Sequence, residues 1–245
     1  MEAPQVVREL KTDGFGRVEL LDGRDGPVVR RVACGGGFPG SRQVARLLMQ
    51  RERRALERLS GIHGVARTLD LPEYHAAPSR DGLVPASRDV LLRSWIEGEP
   101  LHAACELPLD FFERLEDLAR ELHDRGVCHN DLHKEPNVLV QPDGRPALVD
   151  FQLASCHETR GRRYRTRVEE DLRHVAKHRR VYAVGTGIES SNRPSRRRSF
   201  LAAAWMRLGK PVYNLVTRRL LRTSDGEPRR PPKGPWPKWG PPVGP

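Results

Sequence analysis

The apolar positions of this chain change their spacing several times. Through residue 32 they form short, half-polar runs broken by turn residues, Asp13-Gly14 and Leu21-Asp22-Gly23-Arg24-Asp25-Gly26 among them. That pattern predicts strands joined by turns over residues 5–32, with Pro27–Val32 as the last of them. The Gly-rich stretch Cys34–Gly40 reads as a linker. From Ser41 the period becomes helical: Val44, Leu47, Leu48, Ala55, Leu56 and Leu59 share one face, Ser41 is a good N-cap and Gly61 a stop. Val90-Leu91-Leu92 predicts another strand. Leu115, Leu118, Ala119 and Leu122 give a second buried helix face, opened by a capping box of Asp110 with Glu113 and stopped by Gly126.

The next stretch organises the rest. Val127-Cys128 is a short apolar entry, Val138-Leu139-Val140 and Ala147-Leu148-Val149 are runs too short for helices, and Gln141-Pro142-Asp143-Gly144 is a turn. Two buried strands joined as a hairpin therefore carry Asp131, Asn137 and Asp150 at their ends. Two carboxylates and an amide oxygen are what phosphoryl transfer from ATP requires. One carboxylate orients the acceptor hydroxyl and takes its proton; the amide oxygen and the other carboxylate hold magnesium against the phosphates. Farther on, Glu169–Arg180 predicts a helix with His174 and His178 on a solvated basic face. Residues 185–199 read as a linker and Phe200–Leu208 as a short apolar helix. Pro211 opens a segment in which Val212, Leu215, Val216, Leu220 and Leu221 alternate with arginines. From Thr223 the chain is rich in Pro and Gly, which predicts disorder or polyproline II.

Charge divides the chain. Of 245 residues, 1–158 hold 21 Lys and Arg against 26 Asp and Glu, whereas 159–245 hold 22 against 6, so the net +11 belongs to the C-terminal part. The basic segment 196–222 has the character of an amphipathic surface for an anionic membrane, with docking on the chain's own core as the other reading. Nucleic acid is the disfavoured partner. The four cysteines, Cys34, Cys105, Cys128 and Cys156, show no C-x-x-C pair, which excludes a disulfide frame and a zinc ribbon and fits reduced thiols. His129 and His133 lack further ligands at metal-site spacing. The N-terminus carries no signal-peptide pattern, and the longest apolar run, Phe200–Met206, is too short to span a bilayer. The expected location is cytoplasmic, with peripheral contact at the inner membrane.

His129-Asn130-Asp131-Leu132 resembles the H-R-D-L catalytic loop of protein kinases, and Asp150-Phe151-Gln152 resembles D-F-G. Asn137 follows Asp131 by six residues rather than five, and Gln152 replaces the glycine. Both departures are similar to small bacterial kinase-like proteins, RIO-like or related to lipopolysaccharide-core kinases. The resemblance, over residues 10–180, implies an α+β bilobal fold with a β-rich N-lobe (1–95), a mainly helical C-lobe (96–184), a linker with basic helices (185–222) and a tail (223–245). It implies ATP and Mg2+ as cofactors. Asp131 is implied as the base and Asn137 and Asp150 as metal ligands, with Lys134 near the γ-phosphate and His129 bracing the loop. Asp171 is implied to hold the loop backbone from its helix.

In the N-lobe, Gly16 stands at the third glycine of a phosphate loop whose first two places are Lys11 and Asp13. Where V-A-I-K places its lysine, this chain has Arg30 and Arg31; alternation turns only one to the cleft, and the preceding Val28-Val29 favours Arg30. Glu52 matches the helix glutamate that pairs with that cation. Trp95-Ile96-Glu97-Gly98 resembles the nucleotide hinge, with Trp95 lining the pocket. Only a short stretch separates Asp150 from Asp171, which favours an atypical kinase or a non-protein acceptor. Three activities follow from the resemblance: an atypical serine/threonine protein kinase first, then a lipopolysaccharide-core sugar kinase, then a pseudokinase that binds nucleotide without turnover.

Overall fold

The computed structural model describes residues 4–23, 26–35 and 39–183. Its first part is an antiparallel five-stranded sheet in the order β1-β2-β3-β5-β4, built from β1 (Val6–Asp13), β2 (Gly16–Leu21), β3 (Val28–Ala33), β4 (Thr68–Leu69) and β5 (Val90–Ser94). Helix α1 (Ser41–Arg58) lies between β3 and β4, and the short α2 (Pro72–His75) between β4 and β5. The second part holds α3 (Phe111–Asp124), α4 (Arg162–Ala183), the three-stranded sheet β6-β8-β9 and the two-stranded sheet β7-β10. Their strands are β6 (Glu99–Pro100), β7 (Val127–Cys128), β8 (Val138–Val140), β9 (Pro146–Leu148) and β10 (Ser155–Cys156). A sheet-rich N-terminal lobe and a helical C-terminal lobe make the kinase-like bilobal α+β fold.

The N-terminal sheet is covered on both faces, which is why every residue of β3 is buried. On one face Ala33 and Leu91 pack with Ala45 and Met49 of α1. On the other, Leu21, Val28, Val90 and Leu92 pack with Tyr74 and Ala77 from the β4–β5 insert. The C-terminal half of α1 leaves this sheet. Ala55, Leu56 and Leu59 join the main core of the second lobe with Phe111, Leu115, Leu122, Leu148 and Phe151. One helix therefore belongs to both cores and couples the lobes.

Local features depart from the sequence reading in physically simple ways. The helix cap is Gly40 rather than Ser41, with φ 89, a left-handed conformation that suits glycine. The buried face of α1 runs through Ala45, Met49, Glu52, Ala55 and Leu56, while Val44 and Leu47 are exposed. Arginines near the start of the helix explain the rotation: Arg42 and Arg46 both pair with the buried Asp89, turning that side of α1 to the β5 edge. The capping box of α3 does not form, because Asp110 accepts Arg114 Nε at 2.7 Å instead of a backbone N–H. Helix α4 begins at Arg162, seven residues before the predicted Glu169. The expectations for 185–222 and 223–245, including the membrane-facing segment 196–222, lie outside the described residues. No helix among the described residues is long and apolar enough to cross a membrane.

The largest departure concerns Arg30. It is wholly buried on the face opposite α1, where Glu19 accepts Nε at 2.9 Å and Nη2 at 2.8 Å. Its other donors reach Tyr74 O at 3.0 Å, Ala77 O at 2.6 Å and Ser79 Oγ at 3.2 Å. All of the guanidinium's N–H groups are thus engaged, two with Glu19 on the neighbouring strand and the rest in holding the insert onto the sheet. Removing one member of such a pair leaves the other charge buried. Glu19→Ala is therefore expected to lower unfolding free energy by about 3–5 kcal/mol, read as a shift of the urea midpoint with little change in slope.

Candidate active site

The loop after β7 carries Asp131, and its backbone is held from below. Asp171, buried midway along α4, accepts the His129 N–H at 2.8 Å on Oδ2 and the Asn130 N–H at 2.9 Å on Oδ1. His123 Nε2 sits 3.2 Å from the same Oδ2. This is the role the resemblance implied for Asp171. His129 is fixed at both ring nitrogens: Nε2–H donates to Val149 O at 3.0 Å, and Nδ1 accepts the Asp131 N–H at 3.3 Å. Its ring lies against Phe151, centroids 4.6 Å apart. His129 braces the loop as expected.

Asp131 then projects into a cluster of donors. Asn137 Nδ2 donates to its Oδ2 at 3.1 Å and to its backbone O at 3.0 Å. Lys134 Nζ is 3.3 Å from Oδ2, and His133 Nδ1 is 3.1 Å from Oδ1. Burial alone would raise the Asp131 carboxyl, but the His133 hydrogen bond and the Lys134 charge outweigh it, and the net direction is down. The carboxylate stays ionised at neutral pH.

Asp150 arrives at the same place through the β8–β9 ladder. Val138 pairs with Leu148, and the Val149 N–H donates to Asn137 O at 3.0 Å, so Asn137 and Asp150 leave neighbouring strand ends together. Asp150 takes a left-handed φ of 66, and its Oδ1 accepts Gln152 Nε2 at 2.6 Å. The residue that replaces glycine thus orients the acid before it. Asn137 turns its nitrogen to Asp131, so its amide oxygen points the other way. That oxygen and the carboxylate of Asp150 are hard oxygen donors of the kind magnesium takes, and the set fits that ion.

Across the cleft, Glu52 of α1 is fully buried and pairs with Arg31, at 3.2 Å, not with Arg30. The physical reason is strand parity. Arg31 shares the α1 face of β3 with Val29 and Ala33, and Arg30 faces the insert. Both faces are buried, so hydrophobic pattern could not choose between the arginines; Glu19, directly opposite Arg30 in the β2–β3 register, was the available signal. Arg93 on β5 lies 3.6 Å from the second Glu52 oxygen. Gly16 pairs with Ala33, and a Cβ there would meet Val32 O at 2.4 Å, so close strand contact already demands this glycine. Trp95 is half-buried in the connection between the lobes, and its backbone N–H donates to Pro27 O at 3.3 Å.

Two further groups correct the sequence reading. His178 is buried and its Nε2 lies 2.7 Å from Leu132 O, so it supports the loop rather than a solvated face. His174 stacks near His133, centroids 5.7 Å apart. His123, Cys128 and Asp171 could together offer atoms to a metal. Both Asp171 oxygens, however, accept backbone amides, and burial pushes the Cys128 thiol up to about 12, away from the thiolate a metal needs.

These features, a two-lobed α+β fold with a clamped loop presenting an aspartate, an asparagine and a second aspartate, define a kinase-like phosphotransferase. The sequence model of the APH phosphotransferase enzyme family matches residues 17–158. The chain belongs to that family. A curated relative, the probable SapB synthase of Streptomyces coelicolor, is 36% identical over 132 residues, covering 50% of this chain and 14% of that protein. The chain therefore spans a small part of the relative's length.

Burial, with Arg173 and His133 adding to it, lowers His174 to about 4, and burial lowers His178 as well. Both bind protons more weakly folded than unfolded. Stability is thus complete above about pH 6.5 and falls as the pH drops toward 4. For His174 alone, the slope within that window approaches one proton, about 1.4 kcal/mol per pH unit. Urea midpoints at pH 7 and pH 5 are expected to differ in that direction, and less so in His174→Asn.

Proposed function

We propose that this protein transfers the γ-phosphate of ATP to an alcohol hydroxyl. The observation that carries the reading is the convergence of Asp131, Asn137 and Asp150 on a loop whose backbone is clamped by Asp171. Asp131 orients the acceptor hydroxyl and takes its proton. Asn137 and Asp150 would hold magnesium, which would supply positive charge against the phosphates of ATP. Lys134, beside Asp131, meets the phosphoryl group as it transfers. Arg31, held by Glu52, takes the place of the strand lysine, and the nucleotide lies beside the 95–101 connection.

The acceptor we favour is a sugar hydroxyl, as in a lipopolysaccharide core, because α4 starts so early. Between the turn Phe151–Leu153 and Arg162 there is room for β10 and a few residues, and no platform for a peptide. A serine/threonine acceptor is the second reading, resting on the kinase-like loop alone. A pseudokinase is opposed by the retention of all three catalytic groups. The name of the Streptomyces relative speaks of synthesis, and because this chain covers so little of that protein its product is not carried over.

Three measurements follow. Arg31→Ala is expected to weaken Mg2+-dependent binding of a non-hydrolysable ATP analogue by roughly 10- to 100-fold, the loss of a charge-assisted phosphate contact. Arg30→Ala should act on the melting temperature instead. With γ-labelled ATP, magnesium and an envelope-containing lysate, label is expected in the glycolipid fraction and lost in Asp131→Asn. Label in protein alone would move the assignment to the serine/threonine reading, and no label above the mutant control would overturn phosphotransfer.

A further inference from the structure

Asn130 stands between the bracing histidine and the proposed base. Its φ is 63, in the left-handed region where asparagine is tolerated better than most side chains. The backbone conformation is already secured by its own N–H on Asp171, and a glycine would adopt it freely. The side chain is nevertheless fully engaged. Nδ2 lies 2.7 Å from Leu153 O, 3.1 Å from Ser155 Oγ and 3.2 Å from Cys128 O, and Oδ1 accepts Arg167 Nη1 at 2.9 Å.

The partners give this network its meaning. Leu153 ends the 3-10 turn that Asp150 opens, and Ser155 begins the strand that pairs with β7. Asp150 is the other non-glycine residue with positive φ among the described residues. The two conformationally restricted positions of the site are therefore tied to each other by one side-chain amide. Arg167 adds a tie to α4, the helix that also carries Asp171. Nothing in the set involves Asp131 or Asp150 side chains directly, and Asn130 donates to backbone and hydroxyl oxygens away from them.

We infer that Asn130 is a positioning residue whose side-chain amide fixes the Asp150 turn relative to the Asp131 loop. This rests on the reading that those two carboxylates form the reaction centre. The amide touches neither nucleotide nor acceptor; it sets the separation at which base and metal ligand act together. Transfer chemistry is steep in such placement, so a displacement of about 1 Å costs on the order of 100-fold in rate. The bonds are partly solvent-exposed, so the same amide adds little to global stability.

The test compares the full-length chain with Asn130→Gly, which keeps the backbone conformation, and Asn130→Asp, which keeps the shape and the contact to Arg167 but has no N–H to donate. Hydrogen exchange is read first, since it needs no turnover. Both variants are expected to exchange about tenfold or more faster in residues 129–137 and 150–156 together, with the β8–β9 hairpin unchanged. Turnover of Mg-ATP to water should fall about 10- to 100-fold in kcat while KM for ATP holds within about twofold. Adding Arg167→Ala to Asn130→Gly should bring no further loss, because both act through one network. Faster exchange confined to 129–137, or wild-type exchange in Asn130→Asp, would overturn the link. A wild-type protein that passes phosphate neither to water nor to any acceptor in the lysate would sink the proposed function, while the exchange result would still decide the role of Asn130.

Discussion

A single carboxylate supports the loop on which the proposed chemistry depends. Asp171 is buried beneath the loop and accepts two consecutive backbone N–H groups, from His129 and Asn130. Those donors sit in a segment with a left-handed residue and no regular secondary structure of its own. Without an acceptor they would be costly to bury. With one, the loop gains a fixed conformation that strand or helix pairing could not supply. Everything the site presents, from the His129 ring to the Asp131 carboxylate, is oriented by that anchor. The long helix that carries it also supplies His178, which meets the loop again at Leu132 O.

Helix α1 performs the matching task for the other side of the cleft. Its N-terminal half packs on the sheet, its C-terminal half enters the second lobe's core beside Phe151, and Glu52 lies between the two. At its end, Arg58 donates to Arg125 O at 2.7 Å and to Glu158 at 2.6 Å, and that hydrogen bond holds Glu158 below the usual carboxylate range. The cation that Glu52 holds and the turn that carries Asp150 are thus set against one rigid element. Movement of α1 would displace both together.

The strands, the hairpin that carries Asn137, the buried face of α3 and the loop motif were legible because each has a local cause: alternation, turn residues, helical period, and polar groups at strand ends. The roles of Asp171 and His129 came with the motif, and their hydrogen bonds take the expected form. Parity in β3 was not legible. A strand buried on both faces loses the alternation that reports orientation, and the choice between Arg30 and Arg31 fell to a partner one strand away. The network of Asn130 was equally hidden, since its partners, Leu153, Ser155 and Arg167, come from three separate elements. His174 and His178 looked solvated because a helix rich in arginine masks the two positions that face inward.

The central claim is that the cleft between Arg31 and the Asp131 loop holds a metal–nucleotide complex. A crystal structure of the full chain with Mg2+ and a non-hydrolysable ATP analogue tests it most directly. The account predicts a metal ligated by Asn137 Oδ1 and an Asp150 oxygen, the phosphates against Arg31, and Arg30 still enclosed by Glu19 and the insert. A nucleotide bound with its metal away from Asn137 and Asp150, or an occupied site elsewhere with this cleft closed, would contradict it.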